Sequence, residues 1–176
     1  LKKTINFFKG LPEEEETTKP ELTRPIDWRV VSTVTGNTRA KIITNKGDIV
    51  LELLPELAPG SVANFVMLSR GGFYDQKYFH RVVANIVIQA GCPRGDGYGS
   101  LEYAIRSELP PVNYDEEGYV GMASAGPHTE GTQWFITHSP TPHLDGKYTI
   151  FAKVVGGMDI VHQIQMGDQI SRIVIE

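Results

Sequence analysis

The run Tyr78-Phe79-His80-Arg81-Val82-Val83-Ala84-Asn85-Ile86-Val87-Ile88-Gln89-Ala90-Gly91 constrains the fold more than any other stretch. It is rich in β-branched and aromatic residues, it is too short for a convincing helix, and Asn85 offers a break because asparagine tolerates a left-handed turn. Two short strands are predicted, over about residues 79–83 and 86–90. Side chains alternate along a strand, so Phe79, Arg81 and Val83 share one face. In the second strand Val87 and Gln89 point together, with Ile86 and Ile88 on the other side. Arg81 and Gln89 are thereby expected to look into one groove.

Short strand-like runs recur along the chain. Ala40-Lys41-Ile42-Ile43-Thr44 and Ile49-Val50-Leu51-Glu52-Leu53-Leu54 flank a turn at Asn45-Lys46-Gly47-Asp48 and read as a hairpin. Pro59-Gly60-Ser61 opens a helix in which Val62, Phe65, Val66 and Ser69 recur at helical spacing, and Gly71-Gly72 stops it. Further strands are predicted near 119–123, 133–137 and 149–155, a second helix over Met158 to Ile164, and a last strand over Gln169 to Ile175. The β-branched run in Asp27 to Val34 reads as one more strand. Strands at short intervals with only two helices imply a mainly β, antiparallel barrel and not a parallel α/β sheet.

Composition excludes several function classes. The 176 residues, 40% of them hydrophobic, suffice for one well-filled core. A formal net charge of -4 leaves no basic excess to hold a phosphate backbone, so no nucleic-acid partner is expected. No apolar run approaches the ~18 residues of a membrane span. A single cysteine, Cys92, rules out an internal disulfide. The five histidines match no metal-ligand spacing, so neither metal nor cofactor is expected. The glycines at 95, 97 and 99 miss both phosphate-loop spacings and read as a mobile loop beside a groove. Ser124 is no nucleophile elbow, because Met122 stands where a glycine is required.

Residues 1–27, with Glu13 to Glu16 and prolines at 12, 20 and 25, read as an acidic linker ahead of a domain over 28–176. The chain opens on Leu1, which points to a processed or excised piece of a longer chain, and the domain itself is expected to be monomeric.

Five segments taken together carry a resemblance. Phe79-His80-Arg81, Gln89-Ala90-Gly91, Met122-Ala123-Ser124-Ala125-Gly126-Pro127, Gly131-Thr132-Gln133-Trp134-Phe135-Ile136 and Leu144-Asp145-Gly146-Lys147 resemble, in order and spacing, the signatures of the cyclophilins, the peptidyl-prolyl cis-trans isomerases. The resemblance runs from about residue 39 to the C-terminus. It implies a closed eight-stranded antiparallel barrel capped by two α-helices, with a substrate groove on the outer wall. It also implies an isomerase that turns Xaa-Pro bonds in peptides and unfolded protein chains, without cofactor, and so assists folding.

Residue by residue, the resemblance makes Arg81 the catalytic arginine, with Gln89 in the catalytic pair and Gln133 orienting arginine and substrate. Val87, Phe135 and Leu144 match the walls of the proline pocket, and Tyr148 its edge. Ala123, Ser124 and Ala125 match the segment that pairs its backbone with an extended peptide. Four positions depart from the pattern. Ile86 stands where the family usually has phenylalanine, Ser124 where many members have asparagine, and Tyr148 replaces a histidine. His143 stands where members that bind cyclosporin tightly have tryptophan, so cyclosporin binding is expected to be weak at most. Ile86 prompts the rival reading, a catalytically weak cyclophilin-fold module that holds proline-containing segments. His143, Tyr148 and the 93–97 loop resemble bacterial members, and with the truncated start they lean the assignment toward a bacterial cell envelope.

Overall fold

Arg39–Thr44 (β1) and Gly47–Leu53 (β2) form a hairpin in the computed structural model, which describes residues 24–176. They pair antiparallel from Arg39 opposite Glu52 to Thr44 opposite Gly47. Gly47 takes φ +141°, a conformation that favours glycine, and the Thr44 hydroxyl ties the reversal by donating to Gly47 O and accepting from Lys46 N. Ala40, Ile42, Ile49, Leu51 and Leu53 are all buried, so one face of the hairpin belongs to the core.

The other strands are Arg81–Val83 (β3), Val87–Ala90 (β4), Tyr119–Met122 (β5), Trp134–Thr137 (β6), Ile150–Gly156 (β7) and Ile170–Ile175 (β8). All eight join one antiparallel sheet in the order β3-β4-β6-β5-β7-β2-β1-β8, curled into a half-barrel. The expected mainly β, eight-stranded antiparallel architecture is present. A closed ladder is not, because β3 has only three residues and pairs with β4 alone. The two ends of the sheet meet ahead of the strands instead. Tyr78 bridges Gln169, Phe79 N donates to Asp168 O at 2.9 Å, and Ile170 N donates to Lys77 O at 2.7 Å.

Among the described residues three α-helices accompany the sheet: Trp28–Val31 (α1), Pro59–Arg70 (α2) and Met158–Gln163 (α3). Pro59 begins α2 where its missing N–H costs nothing. The Glu108 carboxylate, distant in sequence, takes Gly60 N, Ser61 N and Ser61 Oγ at 2.8–2.9 Å and so satisfies the start of the helix. Val62, Phe65 and Val66 are buried by α2, which lies against β7 and β8, while α3 lies against β2.

The segment expected as a strand over 27–34 is instead the single turn α1. Asp27 accepts from Arg29 N at 3.1 Å and Val30 N at 3.4 Å, and Ser32 and Thr33 hydroxyls donate back to Arg29 O and Val30 O. Local side-chain capping thus prevails over the β preference of Val30-Val31, with no strand among the described residues beside it to pair. Just ahead of it, Arg24 N donates to Ala104 O at 2.7 Å and its guanidinium lies 4.8 Å from the Tyr103 ring centre. The expected acidic linker falls, apart from residues 24–27, outside the described residues.

Alternation along β6 separates two apolar clusters. Trp134 and Ile136 point inward, where the Trp134 ring meets Phe65, Tyr74 and Phe79 edge-on at 6.1–6.2 Å. Phe135 points outward into a smaller cluster with Val87, Tyr114 and Ile150, rimmed by Val83, Ala123, Leu144 and Tyr148. Burying side chains of this size stabilises by about 1.5–3 kcal/mol each. The second cluster leaves an apolar floor on the outer wall.

Candidate active site

Strand register builds the site. Arg81 stands opposite Gln89, Gln89 opposite Phe135, and Phe135 opposite Gly121, so four strands deliver one row across the outer face. The row works because Gly121 has no side chain. A Cβ there would lie 2.4 Å from Phe135 Cζ and 2.2 Å from the Tyr114 hydroxyl. Phe135 therefore settles over bare backbone, with Tyr114 stacked at 5.8 Å and Tyr148 edge-on at 5.6 Å.

A groove of about 300 Å³ opens above this floor, lined by Arg81, Ile86, Val87, Gln89, Ala123, Ser124, Phe135, His143, Leu144 and Tyr148. Every lining residue is one expected from the sequence. Ile86, 38% exposed, reaches the rim from the β3–β4 turn, where Asn85 adopts φ +62°. His143 and Leu144 come from a 3-10 turn, Pro142–Leu144. One wall is apolar and the other polar.

The polar wall is a chain of amides. Arg81 Nη1 approaches Gln89 Oε1 at 3.5 Å, Gln89 Nε2 donates to Gln133 Oε1 at 3.0 Å, and Gln133 Nε2 donates to Gly97 O at 3.0 Å and Gly99 O at 2.9 Å. Gln133 thus sits behind Gln89 and not on the groove lining. Ala125 also lies off it, exposed, with its N–H donated to Thr129 Oγ1 at 2.9 Å. Ala123 N donates to Gln133 O at 2.9 Å. The backbone of the 123–125 segment is therefore partly committed within the protein, which the sequence pattern did not reveal.

Sequence reasoning also missed Tyr114 and Gly121 under the floor and the carbonyls of Gly97 and Gly99. Gly121 carried a usable signal, since a glycine inside a strand marks close approach. Tyr114 lies in an irregular connection and carried none.

Two ionisable groups flank the site, His80 half-buried and Glu130 buried. Burial lowers the His80 pKa from its ordinary value, and both its ring nitrogens are enclosed without a partner. Glu130, fully buried within the 123–133 loop, is pushed up to about 7 by burial, while Thr149 Oγ1 donates to its Oε1 at 2.7 Å. No three His, Cys, Asp or Glu side chains among the described residues are grouped to hold a metal ion. A second cleft, of about 260 Å³, lies between residues 24–27 and α2. Its two carboxylates are already engaged, Glu108 by the start of α2 and Asp27 by the start of α1. No helix among the described residues is long and apolar enough to cross a membrane.

Residues 39–175 match the family described as "Cyclophilin type peptidyl-prolyl cis-trans isomerase/CLD". The chain belongs to the cyclophilin-type peptidyl-prolyl cis-trans isomerases. Among cyclophilins, the "Peptidyl-prolyl cis-trans isomerase B" of Bacillus subtilis is 42% identical over 136 residues, covering 77% of this chain and 95% of that protein. A Helicobacter pylori peptidyl-prolyl cis-trans isomerase is 43% identical over 138 residues, with coverage of 77% and 85%. "Peptidyl-prolyl cis-trans isomerase 9" of Schizosaccharomyces pombe is 44% identical over 133 residues, but this chain spans only 22% of its length. A crystal structure of a Cryptosporidium parvum cyclophilin, obtained in the presence of the dipeptide Ala-Pro, superposes with TM-score 0.74 at 34% identity and covers 78% of this chain and 98% of that one.

Proposed function

We propose that the groove binds Xaa-Pro segments of peptides and unfolded chains with the proline ring on Phe135, and that Arg81 is its catalytic group. The observation that carries this reading is the row Arg81–Gln89–Phe135, which sets a permanent cation beside an apolar cup. A prolyl bond turns without any bond being made or broken, against a barrier of roughly 18–20 kcal/mol. Reaching milliseconds from tens to hundreds of seconds removes roughly 6–8 kcal/mol of it. Only interactions that strengthen as the bond twists can supply that.

Each lining residue has a part in this reading. Val87, Leu144 and Ile86 hold the ring's sides, and Tyr148 and His143 bound the far end. The Arg81 guanidinium donates to the prolyl nitrogen as its lone pair localises, a charge that grows only in the twisted state. Gln89, held by Gln133, keeps the guanidinium turned to the ring. The Ser124 backbone pairs with the extended peptide, since Ala123 N and Ala125 N are already donated within the protein. We further propose 28–176 as the working domain, and that the contacts joining 77–79 to 167–170 close the eight strands into a barrel in solution.

The test is the cis-to-trans rate of a short Ala-Xaa-Pro-Phe peptide by exchange spectroscopy, with wild type and Arg81→Ala side by side. Acceleration that collapses in the variant supports the assignment. Peptide binding without acceleration in either protein overturns it in favour of a peptide-holding module.

A further inference from the structure

Two glycines of the 92–99 loop are held from both sides. Cys92 Sγ accepts from Gly97 N at 3.2 Å and from Gly99 N at 3.3 Å. The carbonyls of the same two residues accept from Gln133 Nε2, at 3.0 and 2.9 Å. Cys92 is 3% exposed and forms no disulfide, so its sulfur is an internal tie and not a surface thiol. The exposed tip is tied to the same residue: Asp96 accepts from the Cys92 thiol at 3.7 Å, from Tyr98 N at 2.9 Å and from Arg94.

This arrangement fixes the direction of every amide behind Arg81. Two carbonyl acceptors consume both Nε2 protons of Gln133, and the reversed amide would face them with an oxygen. Gln133 Oε1 must then point to Gln89 Nε2, 3.0 Å away. Gln89 is left with its Oε1 toward Arg81, the only polarity in which it can accept from a guanidinium, which has donors alone.

We propose that Cys92 is a positioning residue for Arg81: by gathering the amides of Gly97 and Gly99 on its sulfur, it presents their carbonyls to Gln133 and sets the direction of the Gln133–Gln89–Arg81 chain. The proposal rests on Arg81 being the catalytic group. Cys92→Ala removes the acceptor and frees both glycine amides. Cys92→Ser keeps an acceptor on a shorter arm and is the conservative rescue.

The experiment measures kcat and KM on the same proline peptide for wild type, Cys92→Ala and Cys92→Ser, and for Cys92→Ala combined with Gln133→Leu against Gln133→Leu alone. It also follows the side-chain amide resonances of Gln133 and Gln89. Cys92→Ala is expected to lower kcat roughly five-fold, the worth of one hydrogen-bond link, with KM within about two-fold. Cys92→Ser should recover most of the loss, and Cys92→Ala should add nothing once Gln133 is leucine, because the path runs through that amide. The Gln133 amide signals should move in Cys92→Ala and move back in Cys92→Ser.

Wild-type kcat with unmoved Gln133 signals in Cys92→Ala overturns the proposal, and so does an undiminished loss in the Gln133→Leu background. Should Cys92→Ala fail to fold, Cys92→Val decides, because it fills the site without offering an acceptor: a lowered kcat with displaced Gln133 signals supports the tie, and wild-type values of both refute it. Arg81→Ala separates the two readings. If it retains full activity, the Arg81 assignment fails, while the Gln133 signals still report whether Cys92 directs the amides.

Discussion

Gln89 stands directly across the β3–β4 ladder from Arg81, and its side-chain amide faces the guanidinium with its oxygen and Gln133 with its nitrogen. One residue thus orients the cation while being oriented itself. Arg81→Ala is expected to reduce kcat/KM about 100-fold, the usual cost of losing a preorganised electrostatic donor. Arg81→Lys should recover little, because it lacks the planar fork. Gln89→Leu should lower kcat roughly ten-fold through the loosened arginine. Exchange spectroscopy on the proline peptide measures all three. Arg81 is exposed, so thermal midpoints should stay near wild type.

Ile86 borders the groove with an aliphatic side chain at the rim of the Phe135 cup. Ile86→Phe supplies an aromatic face for the proline ring, worth about 0.5–1.5 kcal/mol, so kcat/KM is expected to rise roughly two- to ten-fold. The same exchange experiment reads this gain, and an unchanged rate would remove Ile86 from the ring contact.

His143 sits exposed at the far end of the groove. His143→Trp enlarges the apolar surface offered to a bulky cyclic peptide, and cyclosporin affinity is expected to rise about ten-fold by calorimetric titration. Turnover of the short peptide should change much less.

Gly121 has no room for a methyl group between Phe135 and Tyr114. Gly121→Ala is expected to destabilise the protein by about 1–3 kcal/mol, the cost of overpacking, and to tip Phe135 into the groove. Denaturant unfolding checks the first effect, and a raised KM for the proline peptide checks the second.

Glu130 links stability to pH. Its pKa lies near 7 in the folded protein against an ordinary 4.5, because burial disfavours the charge. The folded state therefore holds this proton more tightly than the unfolded state. Stability from this group is full below 4.5, falls as pH rises toward about 7, and is flat above. His80, lowered by burial, acts in the opposite sense, losing stability as pH falls below its ordinary 6.5. Comparing Glu130→Gln with wild type isolates the carboxyl. The variant's relative stability should increase by on the order of 2 kcal/mol between pH 5 and pH 8 in urea titrations.

Much of the site was legible because a period-two pattern assigns faces without knowledge of partners. Arg81 with Val83 and Val87 with Gln89 emerge on the outer wall as alternation requires, and Pro59 and Gly71 bound the long helix as punctuation. Phe79, expected beside Arg81, instead enters the core, and Ile86, expected opposite Val87, lines the groove, because the strands begin only at Arg81 and Val87. What pairs with what was not legible. The β5 row behind Phe135 depends on registers between distant segments, and Gly121 reads as a weak strand residue until Phe135 is placed on it. At Asp27 a local cap opposed a β-branched run, and with no strand of the described residues beside it the cap prevailed. The commitment of Ala125 N depends on a turn closed by Thr129, and that of Ala123 N on Gln133 O, and no apolar pattern encodes either.

The pairing of β1 with β8 joins the earliest strand of the sheet to the latest. During synthesis β1 acquires β2 almost at once across a tight reversal, but its other edge stays bare until Ile170–Ile175 has emerged. Ala40 and Ile42, covered in the finished protein, spend translation beside an unpaired edge. The long-range closure makes this fold slow to complete and gives the nascent chain its own period of exposure to wrong partners.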